Sequence, residues 1–232
     1  MNIINIMKIA WIAPNGGNYT LSSLKGTGGW ISSLESALIE NYNELELGIF
    51  FVHNLDHTIS HNDRVTYVPI YTGKQGNFSK FIERLFNKED YRENRIAKQI
   101  ADEIHKFKPD IVHIWGCENY YAKAIKYLAD IPCVVHIQGL ATPYLNSYLT
   151  YGISENQLSS CDSFIDRCIL KRGNKYDYKA FKHRVKNEQE VAKYVKNWIG
   201  RTQWDKDNSF CLAPSARYYH CEELMRDDFY KH

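Results

Sequence analysis

Three glycines, Gly26, Gly28 and Gly29, stand directly ahead of a segment with helical periodicity in the stretch Ser23–Glu40. Unpaired backbone N–H groups at a helix N-terminus, together with the positive end of the helix dipole, favour an anion such as phosphate. Glycines can also simply bend the chain, and the residues alone leave both readings open. The stretch does not match the dinucleotide fingerprint, which needs its glycines in the turn itself; here about a dozen residues separate the first strand from the glycine pair. A G-x-x-x-x-G-K-[ST] phosphate loop is absent.

Other candidates follow apolar runs of strand length. Trp115, Gly116, Cys117, Glu118 and Asn119 follow "DIVHI", Gln138 and Gly139 follow "PCVVHI", and Arg201 and Thr202 follow "NWIG". A carboxylate that opens a helix, as Glu118 would, can cap it or hold a ligand. The Gln138 amide can orient a hydroxyl but cannot take its proton near neutral pH. His113 and His136 lie between apolar neighbours inside strands, where a core histidine with its hydrogen bonds satisfied is the plainer expectation than a catalyst. His53, His57 and His61 recur every four residues and on a helix would form one metal-binding face, but Ser60, Asn62 and Asp63 read as a loop, so no metal site is expected. Six cysteines (Cys117, Cys133, Cys161, Cys168, Cys211 and Cys221) form no C-x-x-C pair and are expected to be reduced thiols. Lys171, Arg172, Lys175, Lys179, Lys182, Arg184 and Lys186 make a basic stretch. It is either a solvated face or a surface for anionic lipid headgroups or a phosphorylated acceptor.

The elements that must position these residues alternate between two periods. Met7–Ala13, Leu45–Val52, Arg64–Tyr71, "DIVHIWG", "PCVVHIQG" and "NWIGR" are strand-length apolar runs. Ile31, Leu34 and Leu38 mark one intervening helix, Ile96, Ile100 and Ile104 another over about Asp90–Phe107, and a third is expected over Glu118–Ala129. "SENQ" fits a capping box, and "TQWD" opens a further helix after Thr202. Runs of Val and Ile without strict alternation suit strands covered on both faces. The expected fold class is therefore α/β: one Rossmann-like, three-layer α/β/α domain over residues 1–232 with a mostly parallel sheet and a helical edge segment at about 142–196. A net charge of +2 over 232 residues gives no nucleic-acid footprint. No apolar run approaches the roughly 20 residues that span a bilayer, and "MNIINIMKIAWIAP" reads as a strand rather than a leader peptide.

Taken in order, "MKIAWIAP", "GTGGW", "KPDIVHIWGCE", "PCVVHIQGL" and "WIGRTQWDK" resemble the N-terminal domain of a GT-B glycosyltransferase, in particular the retaining family 4 enzymes of bacterial surface-polysaccharide synthesis. The resemblance extends to "YYHCEELMRDDFY". It implies two Rossmann-like domains facing across a cleft, with Gly28 and Gly29 approaching the diphosphate of a nucleotide-sugar donor held mainly by the other domain. Glu118, Gln138 and Arg201, with Trp115, Asn119, Gly139 and Thr202 beside them, would line the acceptor side. The acceptor would be a glycan or a lipid-linked sugar, and the expected location is cytoplasmic, with peripheral attachment at the inner face of the membrane through Lys171–Lys186 as the further option. No cofactor or metal is implied, because helix N-termini and basic side chains can neutralise a leaving diphosphate. Many family members carry histidine where Gln138 stands, so general-base chemistry does not carry over. The family's Glu-x7-Glu donor signature is also missing, as no two glutamates stand eight positions apart. The expectation is the acceptor-side half of an enzyme, inactive by itself; a sugar-nucleotide epimerase half and a stand-alone binding module are the rivals.

Overall fold

The computed structural model describes residues 6–19, 29–54, 58–72, 89–149, 152–166, 173–225 and 229. The apolar runs become β1 (Met7–Ala13), β2 (Leu45–His53), β4 (Val65–Tyr71), β5 (Ile111–Trp115), β6 (Cys133–His136) and β7 (Asn197–Gly200). Two further strands carry no apolar run. β3 (Ser60–Asn62) pairs antiparallel with β4, and β8 (Arg217–His220) pairs parallel with β7. The loop expected at Ser60 and Asn62 is thus an edge strand, and its mostly exposed polar residues give no periodic signal.

The eight strands run in the order β3-β4-β2-β1-β5-β6-β7-β8, with every pairing parallel except that of β3. From β1 the chain winds outward through β2 and β4, then returns to the opposite side of β1 as β5. That reversal is a topological switch point, and in open α/β sheets it leaves a crevice beyond the carboxyl ends of the strands.

Each sheet face buries its own core. Ala10, Ile12, Phe50, Val112, Ile114 and Val135 point to one side. There they meet Ile96, Ile100 and Ile104 of α2 (Glu89–Phe107), Val191 and Ala192 of α5 (Asn174–Ala192), and Leu212 of α6 (Gln203–Leu212). The isoleucines of α2 recur every four residues and are fully buried, contributing roughly 1.5–3 kcal/mol each. On the other side Trp11, Leu47, Ile49, Tyr67 and Trp115 pack against Ile31 and Leu34 of α1 (Gly29–Asn41). The layers are α/β/α, as the pattern of the sequence implies.

The helix expected over Glu118–Ala129 is a 3-10 helix, Tyr120–Tyr127. Three residues per turn brings Ala122, Ile125 and Leu128 to one buried face, a spacing an α-helix would smear. The edge segment comprises α3 (Ala141–Tyr148), α4 (Glu155–Ser160) and α5, and Ser154 and Gln157 form the reciprocal capping box at α4. Among the described residues no helix is long and apolar enough to cross a membrane.

Candidate functional site

At the crevice, β5 ends on Trp115 and the chain turns at Gly116, whose φ of +81° belongs to the left-handed region. Its N–H donates to the His136 carbonyl, which ties the turn to β6 at 2.8 Å. A Cβ at this position would lie 3.0 Å from Glu118 Oε2 and 3.8 Å from Gln138 Cβ. Glycine therefore leaves room for the Glu118 carboxylate beside the turn. Gly116→Ala is expected to cost about 1–2 kcal/mol from the backbone alone and to displace the Glu118 carboxylate; a melting comparison checks the first effect.

Glu118 is only 8% exposed. Its Oε1 accepts from the Arg184 guanidinium at 3.1 Å and from Asn119 Nδ2 at 3.2 Å, and Asn119 Nδ2 also lies 3.2 Å from the Tyr121 hydroxyl. Oε2 has no partner, nor has the Gln138 amide nitrogen. Each buried orphan carries a penalty of about 1–3 kcal/mol. A ligand hydroxyl can donate to the carboxylate oxygen and accept from the amide, so the pair suits a hydroxyl-bearing ligand.

Behind them lies a group that sequence reasoning missed. Glu188 is fully buried and accepts from the backbone N–H groups of Ala141 and Thr142, both at 2.6 Å, at the start of α3. Burial raises its carboxyl above the usual range despite these bonds. Its signal was its place in a buried stripe of α5 with Val185 and Val191. Cys117 Sγ lies 3.7 Å from Glu188 Oε1, and burial pushes that thiol far up, so it is not a nucleophile. Cys117, Cys133, Cys161, Cys211 and Cys221 are unbridged, and Cys168 lies outside the described residues.

Beside the crevice, on the α1 face of the sheet, is a cavity of about 360 Å³. Its floor is a stack of rings from alternate positions of β5 and the paired position of β6: His113 on Trp115 at 4.1 Å and Trp115 on His136 at 4.7 Å between centroids. Trp30 and Leu34 of α1, Ile199 of β7 and the segment Cys221–Leu224 form its walls. His113 Nε2 and His136 Nδ1 are 3.3 Å apart and share one hydrogen bond. Burial lowers both imidazoles, to about 3 for His113 and about 4 for His136, so both are neutral near pH 7. The histidines satisfy each other, but His136 Nε2 has no partner, and neither has Trp115 Nε1.

The remaining candidates have defined tasks. Arg201 pairs with Glu223 Oε2 at 2.7 Å. The Thr202 hydroxyl accepts from the Asp205 N–H and caps α6. Gly139 has open space where a side chain would stand. Gly29 is the first residue of α1; Gly26, Gly28, His57, Lys171 and Arg172 lie outside the described residues. In the basic stretch, Lys182 pairs with Glu155, Arg184 with Glu118 and Lys186 with Asp90, leaving Lys175 and Lys179 without an ion pair among the described residues. His53 ends β2 and His61 lies in β3, so no helix presents them as one face. Among the described residues Asp90, Glu93 and His183 alone are grouped as metal ligands could be. The Lys123 ammonium already lies 2.8 Å from Glu93, supplying the cation there.

No protein-family model matches the chain, and no curated protein matches it. Among solved structures it is similar to sucrose-phosphate synthase from Thermosynechococcus elongatus, at 10% identity and a TM-score of 0.56, over 92% of this chain and 47% of that one. It is also similar to an alpha,alpha-trehalose-phosphate synthase from Burkholderia xenovorans, at 10% identity and a TM-score of 0.44, over 89% of this chain and 42% of that one. The chain thus spans about half the length of these structures. The likeness to the synthase from Thermosynechococcus is one of fold: a Rossmann-like α/β unit matching part of a GT-B glycosyltransferase.

Proposed function

We propose that this chain is the acceptor-binding half of a retaining glycosyltransferase that moves a sugar from a nucleotide-diphosphate donor to a glycan or lipid-linked acceptor. The observation that carries the reading is the pair of buried, unpartnered groups at the switch point, Glu118 Oε2 and Gln138 Nε2. One is an acceptor and the other a donor, and a substrate hydroxyl can serve either. Family 4 chemistry rests on the order of the quoted motifs, and the donor diphosphate would rest on the backbone at Gly28 and Gly29.

In this mechanism the residues position rather than react. Arg184 holds Glu118 by its other oxygen, and Gln138 fixes the direction of the acceptor hydroxyl, so the reaction gains from orientation. On this reading the 232 residues alone are expected to show no turnover.

In the enzyme with its donor domain, Glu118→Gln is expected to lower kcat/KM for the acceptor roughly ten- to hundredfold, the worth of one hydrogen bond to a charged group. The donor KM should stay put. A raised donor KM with unchanged acceptor kinetics would assign the crevice to the donor and sink the proposal. Binding of a sugar with no transfer under any donor would favour the stand-alone binding module.

A further inference from the structure

We infer that the cavity on the α1 face is a subsite for an uncharged sugar ring, read by His136 in a tautomer set through His113. The inference rests on the acceptor reading above and names the class of group that enters.

Three buried polar atoms in cavity-lining residues lack partners: Trp115 Nε1, His136 Nε2 and Glu223 Oε1. The first can only donate and the third can only accept. The second does either, depending on its tautomer. If His113 Nε2 donates to His136 Nδ1, the proton of neutral His136 sits on Nε2, which is then a donor; if the bond runs the other way, Nε2 is an acceptor. The shared hydrogen bond therefore makes Nε2 adaptable without a change of charge.

These handles come from different walls, the floor strands β5 and β6 and the segment Cys221–Leu224. A flat heterocycle carries its donors and acceptors in one plane in a fixed order. A sugar ring spreads hydroxyls around its edge, and each hydroxyl rotates to donate or accept. Trp30, Leu34 and Ile199 offer apolar surface to the C–H faces of such a ring, and the volume, about 360 Å³, is at the small end of the range for ligand sites.

Charge excludes a phosphorylated ring. Arg201 lies close enough to help depress His136, but its guanidinium is paired with Glu223. Both histidines are neutral, and Glu222, which also lines the cavity, pairs with His220 at 3.0 Å. Among the described residues lining the cavity no cation is left over for a phosphate, and burying an unpaired dianion beside carboxylates is costly.

Ring nitrogen spectra of ¹⁵N-histidine-labelled protein test this directly, titrated with the methyl α-glycosides of glucose, mannose and galactose and, separately, with glucose 6-phosphate. At least one neutral glycoside should move both ring nitrogens of His136, with glucose 6-phosphate weaker by about tenfold or more, because its charge meets no partner. Leu34→Trp, which fills the cavity from α1, should abolish the response. His113→Phe keeps a ring in the stack but removes the partner of Nδ1, and should weaken binding with the melting temperature little changed. Silence of His136 toward all three glycosides overturns the inference, as does tighter binding of the phosphate. A glycoside response together with normal acceptor kinetics in Glu118→Gln would keep the subsite and remove the transferase reading; the reverse pattern would keep the transferase and remove the subsite.

Discussion

Lys123→Ala is expected to lose about 3–5 kcal/mol of folding stability, the usual cost of removing one partner from a buried ion network. Lys123 is completely buried. Its Nζ lies 2.8 Å from Glu93, 3.5 Å from Glu190 and 3.7 Å from Asp90. Those carboxylates come from α2 and α5, and Lys123 itself from the 3-10 helix, so one ammonium fastens three elements on the same side of the sheet. Lys126 on Glu190 and His183 on Glu93 complete the set. Removing Lys123 leaves three carboxylates facing the space its ammonium filled.

The pH dependence has a defined sign. Burial alone would raise the Glu93 carboxyl, but hydrogen bonds from His183 and Lys123 outweigh it and hold it below the usual range. Burial likewise opposes, and Lys126 and Lys123 together reverse, the shift at Glu190, while a hydrogen bond from Lys186 lowers Asp90. A depressed carboxyl stabilises the fold above its unfolded value, near 4 for such groups, and that contribution disappears as the pH falls through the folded value. The difference between wild type and Lys123→Ala should therefore be widest near neutrality and narrow in acid, where the abandoned carboxylates take up protons. Denaturant titrations at both ends of that range would show it. A constant gap, or one below about 1 kcal/mol, would mean that water reaches the cluster and screens it.

Glu35→Ala is expected to cost about 3 kcal/mol, because two donors lose their acceptor and a void opens. Glu35 is 2% exposed. Tyr67 donates to Oε1 through a short hydrogen bond, and the Asn18 N–H donates to Oε2 at 2.8 Å. Gly17, at φ +59°, must be glycine, since a Cβ there would stand 2.3 Å from Glu35 Oε2. The Asn18 side chain adds bonds to Ser32 O and Ser36 Oγ. This clamp fixes the segment after β1 against α1 and β4.

Burial raises the Glu35 carboxyl, with the bonds from Tyr67 and Asn18 opposing. The sign is opposite to that at Lys123: stability from this group is fullest where Glu35 is protonated and declines as the pH rises from the unfolded toward the folded value. Glu35→Gln should remove that decline while costing less than alanine, because one amide group can serve Tyr67 but cannot also accept from Asn18. A pH profile identical to wild type would show that Glu35 does not titrate in the folded protein.

Strands β1, β2 and β4–β7 were legible because each is covered on both faces, which writes the strand as an unbroken apolar run. β3 and β8 were not, since most of their residues are exposed at or near the sheet edges and carry no pattern. The positions of Glu118 and Gln138 followed from the rule that ligands gather beyond strand ends. The buried charges stayed hidden because a polar residue in a pattern is read as surface. Glu35 nevertheless sits in the stripe Ile31, Leu34, Leu38, and Lys123 between Ala122 and Ile125; a charge inside an apolar stripe was the signal, and its partners lie far away in sequence. The cavity was invisible for a different reason. Its wall at Cys221–Leu224 belongs to no periodic element, and only the fold brings it beside β5 and β6.

The reversal of the sheet at β1 bears on how the protein emerges from a ribosome. β1 takes β2 on one side soon after synthesis, but its other side waits for β5, with Ile9 paired to Ile111 and Lys8 hydrogen-bonded to Asp110. Until then a nascent chain can build only one half of the sheet, and an apolar strand that ends up in its middle stands as an open edge, a template for pairing with a neighbouring nascent chain. The interval between β4 and β5 is the period in which such a chain most needs a chaperone, and synonymous codons that slow translation there would lengthen it.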